Sequence, residues 1–281
     1  LLFVDKPAGL LTVPTEHSRE TCLADAIVEH YRRRGFKRYP LYIVHRLDRW
    51  TSGVIVFAKT PEALHGLKKR FESHALQRTY RAILVGELPE NSGTLLGRVV
   101  ERHAGGPMKV VRSDRDAKGA KAAITHYRVL ERLPGHTVVE VKLETGRRNQ
   151  IRVQFADRGF PILGDTVYGT SSPLIGRQAL HAERLAFKHP MDEEVMIGAE
   201  SKLPEDFEAA LKALRTQRRL ERAEAGQQGE VGIYKPKERR DRKFVRVERA
   251  KHYARLEGER AERSGAKSRK SASEDSPASS Q

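Results

Sequence analysis

From Leu1 to Lys202 apolar residues come in short runs of strand length, separated by clusters containing Gly and Pro. This is the pattern of a compact mixed domain of helices and sheet. Several runs have the β-branched and aromatic content of strands: IVHRL from Ile43, GVIVFAK from Gly53, TYRAILVGEL from Thr79, THYRVLE from Thr125 and HTVVEVKLET from His136. The last two flank a short turn at Leu133 to His136, which predicts a hairpin and a largely antiparallel sheet. Helices are predicted over Leu23 to Arg34 and over Pro61 to His74. The opening LLFVDKPAGLL reads as a strand entering a Pro-Gly turn. A membrane helix takes roughly 20 apolar residues, and no run approaches that length.

The pattern changes after Lys202. Glu205 to Ala225 reads as a helix with Phe207, Ala210, Leu211 and Leu214 on one face, free to pack on the body or to stay solvated. Between Lys235 and Lys270, 15 Lys or Arg stand against 6 Asp or Glu with few large apolar residues. Such a segment suits an arm that orders on a polyanion, and equally a soluble extension. The closing SASEDSPASSQ has a disordered composition. We therefore divide the chain into a body, 1–202, and a basic helical or disordered tail, 203–281.

A formal net charge of +16 over 281 residues points to a polyanionic partner, nucleic acid ahead of an anionic membrane, because each neutralised phosphate releases counterions. The single cysteine, Cys22, allows neither an internal disulfide nor a cysteine-based zinc cluster, which fits a reducing cytoplasm. Neither metal nor cofactor is expected. Internal repeats, phosphate-cradling glycine loops and dinucleotide fingerprints are missing from the sequence. The chain starts directly in apolar residues without a methionine, which leaves open an upstream segment or domain.

Candidate chemistry concentrates between Ile43 and Lys59, IVHRLDRWTSGVIVFAK. His45, Arg46, Asp48 and Arg49 crowd four ionisable groups into five positions, and Thr51, Ser52 and Gly53 form a tight turn after them. An aspartate at a strand end beside arginines stays ionised and can act as a nucleophile. On composition alone the commoner reading is a turn carboxylate pairing Arg46 or Arg49. HRLDRWTSG, however, closely resembles the signature of the large bacterial-type family of RNA pseudouridine synthases: His-Arg-Leu-Asp, two variable residues, Thr-Ser-Gly. Further blocks resemble that family in order: VDKPAGLLTVP from Val4, QRTYRAILVGEL from Gln77, LETGRRNQIRVQFADRGFPILGDTVYG from Leu143 and LHAERLAFKHP from Leu180. The resemblance spans Phe3 to Pro190.

It implies an α+β fold, a mixed and mainly antiparallel β-sheet with flanking helices, and an isomerase that converts uridine to pseudouridine in structured RNA without a cofactor. Ribosomal RNA is the first expectation and transfer RNA the second. The catalytic set it implies is Asp48, Tyr80 and Arg152: Asp48 takes the catalytic position, Arg152 the position that pairs with it, and Tyr80 the position that stacks on the target base, with a hydroxyl that could also shuttle the proton from C5. Without the resemblance, Arg152 reads as a phosphate contact and Tyr80 as a core aromatic. His45, Arg46, Arg49, Thr51 and Lys6 are candidates for substrate binding around them, Lys6 with Pro7 and Gly9 also shaping a turn.

His45 and His181 invite acid–base roles but stay outside the catalytic set. Arg19, Lys37, Arg38, Arg98, Arg102, Lys109 and Arg112 are candidate phosphate contacts, and Arg102 to Lys121 reads as an RNA clamp or a scaffolding hairpin. Two positions depart from the family pattern, Asn149 and Gln154 standing where histidine is common, and neither is expected to carry the chemistry. Two rivals come from other classes: a non-catalytic RNA-binding factor of ribosome assembly that retains the fold, and a hydrolytic nucleosidase. No protein partner is indicated.

Overall fold

A computed structural model describes residues 1–14, 20–103, 105–112 and 118–227. The described residues all fall within one compact unit. The basic stretch from Lys235 to Lys270, the closing serine-rich stretch and Arg19 lie outside the described residues.

The elements in chain order are β1 (Leu2–Lys6), α1 (Leu23–Arg33), β2 (Tyr42–Ile43), β3 (Ser52–Ala58), α2 (Pro61–Glu72), β4 (Leu76–Val85), β5 (Ser92–Glu101), β6 (Met108–Val111), β7 (Lys121–Leu133), β8 (His136–Leu143), α3 (Gln150–Asp157), β9 (Leu180–His189), β10 (Asp192–Glu200) and α4 (Glu205–Gln227). The strands build one ten-stranded sheet in the order β1-β3-β9-β4-β8-β7-β5-β6, with β10 added on β9 and β2 on β3. Every pairing is antiparallel except that of β3 with β9, where Ser52 faces His181 and Gly53 faces Ala182. The α+β class with a mixed, mainly antiparallel sheet is therefore the observed one.

The predicted hairpin is β7–β8, turning at Pro134 and Gly135. Part of the basic Arg102–Lys121 segment is strand β6, paired with β5, so the scaffolding alternative applies to that part. Gly53 is required at the parallel crossing: a Cβ there would lie 2.2 Å from the Ala182 carbonyl oxygen. Only glycine lets these two strands approach so closely.

IVHRL departs from its prediction. Ladder pairing ends at Ile43, and residues 44–48 run outside regular structure. The His45 side chain replaces a strand partner there, its Nε2 accepting the Val56 backbone N–H at 3.2 Å while the ring stacks on Phe71 at 4.8 Å. Release from the ladder leaves the residues after His45 free to turn away from the sheet.

α4 packs. Phe207, Ala210, Leu211 and Leu214 are buried in the main core with Ile83, Leu133, Val138 and Val139 of the sheet. The folded body thus continues past Lys202 through this helix. Among the described residues no helix is long and apolar enough to cross a membrane.

Burial, with a smaller push from Arg78, depresses the His45 imidazole to about 3. In the unfolded chain it titrates near its ordinary value of about 6.5. Between these values the unfolded chain holds the extra proton, so stability is unaffected above the upper value and falls as pH drops below it. By pH 4.5 the loss from this group is about 2–3 kcal/mol. Urea titrations at pH 7 and pH 4.5 should show a clearly smaller acid loss for His45→Asn than for the unsubstituted protein. Equal losses in both would remove His45 as the acid-sensitive group.

Candidate active site

Asp48 lies where the irregular segment turns back into β3, and the N-terminal block holds that turn through its backbone. Thr12 Oγ1 donates to the Leu47 carbonyl at 3.0 Å and accepts the Leu47 N–H at 3.2 Å. Gly9 N–H donates to the Arg49 carbonyl at 2.9 Å, and Arg49 Nε returns a bond of 2.9 Å to the Gly9 carbonyl. Lys6, with no exposed surface, spends its ammonium on the carbonyls of Pro7, Leu10 and Arg49 at 2.9–3.0 Å. Burial pulls its pKa down to about 8 against the opposing pull of Asp48, and Arg177 adds to the fall. Both block and loop are thereby fixed to each other around Asp48.

The carboxylate of Asp48 receives its charge partner from α3. Arg152 Nη1 donates to Asp48 Oδ2 at 3.1 Å, while Nε and Nη2 of the same guanidinium form a fork on Asp165, 2.7 and 2.8 Å. Asp165 is fully buried and also accepts the backbone N–H groups of Val167 and Tyr168. The Tyr168 ring lies 5.1 Å from the guanidinium. Burial alone would weaken the Arg152 cation, but the bonds and charges of Asp165 and Asp48 outweigh it and raise its pKa above the ordinary arginine value. Arg152 therefore stays charged throughout any working pH range. Asn149 adds a second donor to the same oxygen, its Nδ2 lying 2.7 Å from Asp48 Oδ2.

A cleft of about 280 Å³ opens over this pair, lined by Asp48, Arg152, Tyr80, Arg78, Thr51 and Leu180 among others. That is room for a single nucleoside, not a duplex. Tyr80 stands on β4 opposite Val141, its side chain largely buried. Burial raises its pKa, Arg78 opposing and Asp48 reinforcing the shift, so the hydroxyl stays protonated. A larger cleft of about 760 Å³ adjoins beyond Arg78 and Leu143, which line both. Four of its charged side chains are paired with one another, Arg81 with Glu183 at 2.6 Å and Arg184 with Glu200 at 3.3 Å. The carboxylate and guanidinium meet in the smaller cleft.

Asp48, Tyr80 and Arg152, predicted together, line one cavity. Of the five substrate-binding candidates, Thr51, His45 and Arg46 line it too, Arg46 exposed at the rim. Lys6 and Arg49 do not. Lys6 is enclosed, and Arg49 points to the N-terminal turn and pairs with Glu20 at 2.8 Å. His181 is buried between Ser52 Oγ at 2.9 Å and the Ser201 carbonyl at 3.3 Å, a brace between β3 and the approach to α4. Gln154 bonds Thr125, Leu95 and Ala123 and holds α3 on the sheet.

Sequence reasoning missed Asp165, Arg177 and the contact of Asn149. Arg177 is buried, forks onto Asp206 of α4 at 2.6 and 2.8 Å, and donates to the Trp50 carbonyl at 3.1 Å. Asp165 stands in the third block, GDTVYG, and an acid in that position was legible as a partner for Arg152. For Arg177 no local signal existed. Among the described residues no group of His, Cys, Asp or Glu is gathered to hold a metal.

Residues 1–157 match the model of the family described as RNA pseudouridylate synthase. An RNA pseudouridine synthase of Bacillus subtilis, YhcT, is 40% identical over 212 residues, 74% of this chain and 67% of that protein. Ribosomal large subunit pseudouridine synthase D of Pseudomonas aeruginosa is 39% identical over 233 residues, 78% of this chain and 70% of the relative. Among solved structures, human RNA pseudouridylate synthase domain containing 4 superposes with a TM-score of 0.62 at 27% identity, covering 76% of this chain and 89% of that one. With a carboxylate and a guanidinium meeting under a nucleoside-sized cleft, and with these matches, the chain belongs to the RNA pseudouridine synthase family and is an isomerase of RNA uridines.

Proposed function

We propose that Asp48 is the group that acts on the target nucleoside, that Arg152 holds it charged and oriented, and that Tyr80 stacks on the uracil, in large-subunit ribosomal RNA. The observation that carries this reading is the Asp48–Arg152–Asp165 array at the floor of the 280 Å³ cleft. The reaction breaks the bond from C1′ to N1, turns the held uracil and closes a bond from C1′ to C5, with a proton leaving C5 and one arriving at N1. An anionic carboxylate serves either as nucleophile toward the sugar or as base for a sugar proton, and each needs a fixed cation and an enclosed site. Tyr80, held protonated, serves as a flat stacking surface, since a phenol cannot take the C5 proton before releasing its own.

The target uridine must leave its stack to reach the cleft, at a cost of a few kcal/mol. Phosphate contacts offset that cost. A suitable face lies just before the Asp48 loop. Arg32 to Arg38 holds five Lys or Arg in seven residues. Arg32 and Arg33 are tied to Glu29, but Arg34, Lys37 and Arg38 are exposed around Phe36, itself half exposed and packed edge-on against the stacked Tyr31 and Tyr39 rings. Exposed cations around an aromatic suit single-stranded RNA. Arg112 is paired with Asp157 and is a weaker candidate. Five relatives are named for the large ribosomal subunit, which favours ribosomal RNA over transfer RNA and a cytoplasmic site of action.

Asp48→Asn should bind RNA within roughly tenfold of the unsubstituted enzyme yet release no tritium from RNA labelled at uracil C5, because shape survives while the charge does not. Substantial residual release would refute the role of Asp48. Free uracil in place of attached base would favour a nucleosidase, and neither product from the unsubstituted protein would favour a binding factor. Arg152→Lys keeps the charge, but a compact ammonium cannot form the planar two-point fork on Asp165 and reach Asp48 as well. Its kcat should fall at least tenfold, and an unchanged kcat would reduce Arg152 to a simple point charge. Replacing Arg34, Lys37 and Arg38 by Ala should lower the slope of log K against log salt by roughly two to three, about one per lost phosphate contact. An unchanged slope would take this face out of the RNA footprint.

A further inference from the structure

Asn149 occupies the N-cap of α3, and its geometry departs from what a capping residue does. Its backbone is left-handed, φ 51° and ψ 22°, and its side chain makes no bond to the helix it precedes. An asparagine at an N-cap ordinarily turns its side-chain oxygen onto the exposed N–H groups of the first turn. Here the amide is instead aimed at Asp48, with Nδ2 2.7 Å from Oδ2.

The orientation of that amide follows from its neighbours. An ionised carboxylate only accepts, so the group facing Asp48 is the NH₂. On the far side, the Tyr168 hydroxyl accepts the Met108 backbone N–H at 2.7 Å, which leaves its own proton to lie toward Asn149 Oδ1 at 3.4 Å. The chain of contacts runs from the backbone of β6 through Tyr168 and Asn149 to the carboxylate.

Arg152 gives Asp48 one bond, from Nη1, while its Nε and Nη2 form the fork on Asp165. A single-point contact fixes where a carboxylate is, but leaves its plane free to turn. The Asn149 donor reaches the same oxygen from a separate residue, and two donors on Oδ2 hold the plane. Among the described residues no donor reaches Oδ1. The two oxygens become unequal: Oδ2 is held and Oδ1 is left to the cleft.

Resting on the reading of Asp48 as the acting group, we infer that Asn149 is a positioning residue, whose amide locks the Asp48 carboxylate so that Oδ1 is presented to the ribose of the target nucleotide. An amide does this without exchanging a proton, so it orients the carboxylate and takes no acid–base part.

The test uses the full chain and, as probe, total RNA from cells lacking the protein, tritiated at uracil C5. Asn149→Gly accepts the left-handed backbone but has no amide. Asn149→Asp keeps the shape and replaces the donor by an anion. The inference expects kcat per folded molecule, with folding checked by near-ultraviolet circular dichroism, to fall roughly ten- to a hundredfold in Asn149→Gly, the scale of a lost bond to a charged group. Apparent KM should stay within threefold, and Asn149→Asp should fall at least as far. A kcat per folded molecule within threefold of the unsubstituted enzyme in Asn149→Gly, or a loss confined to KM, would overturn it. Asp48→Asn in the same assay separates the two claims: if Asp48→Asn is inactive while Asn149→Gly is normal, only the positioning role fails, and if Asp48→Asn turns over, the reading of Asp48 itself fails.

Discussion

The rest of the site depends on one guanidinium shared between two carboxylates. Arg152 is largely buried, and a lone buried cation is strongly disfavoured. The fork onto Asp165 removes that difficulty, since it is a bidentate pair whose Asp165 Oδ1 is held further by two backbone N–H groups. Asp165 therefore acts as the fixed anchor and Asp48 as the guest. Nη1 of Arg152 meets a carboxylate that is about a quarter exposed at the cleft. Polarity runs outward, from a sealed acid through a buried cation to an accessible acid.

That arrangement demands that Asp48 stay put in a stretch with no ladder to hold it, and the fold answers with side chains from distant parts of the chain. His45 anchors the segment on β3, Thr12 grips Leu47 in both directions, and Lys6 and Gly9 meet the Arg49 carbonyl. Lys6 shows how easily residue type misleads. As a candidate substrate contact it has no surface left for RNA, since three carbonyls consume its three N–H bonds, and those bonds are the ones that shape the turn at Pro7 and Gly9.

What could be read from the sequence follows from where the signal was local. The β7–β8 hairpin, both early helices and the mainly antiparallel sheet were legible because period, turn residues and β-branched content agree over short windows. α3 was not legible as a helix. Gln150 to Phe155 are all buried, so the helix has no polar face, and its buried glutamines bond the sheet rather than water. IVHRL looked like a strand because its composition fits one, while the bond that ends the ladder comes from the His45 side chain and leaves no mark in the pattern. Asp48, Tyr80 and Arg152 were found through the resemblance, since nothing in local spacing brings together residues 32 and 72 positions apart. With the Asp48 and Arg152 positions intact, the sequence gives Asn149 no part in the chemistry, and its bond to Asp48 is visible only in three dimensions.

α4 shows that the body does not end where the composition shifts. Its apolar face closes the core over Val138 and Leu133, and its Asp206 receives the fork of Arg177. The same guanidinium donates to the Trp50 carbonyl, two residues past Asp48. A buried arginine left without its acid would carry an uncompensated charge against the turn that follows Asp48. The helix is therefore tied to the site through one side chain, as well as to the core through its apolar face. Removing it would open the core and release the turn at Trp50 together, so a chain cut at Lys202 would lose the site's geometry along with the helix.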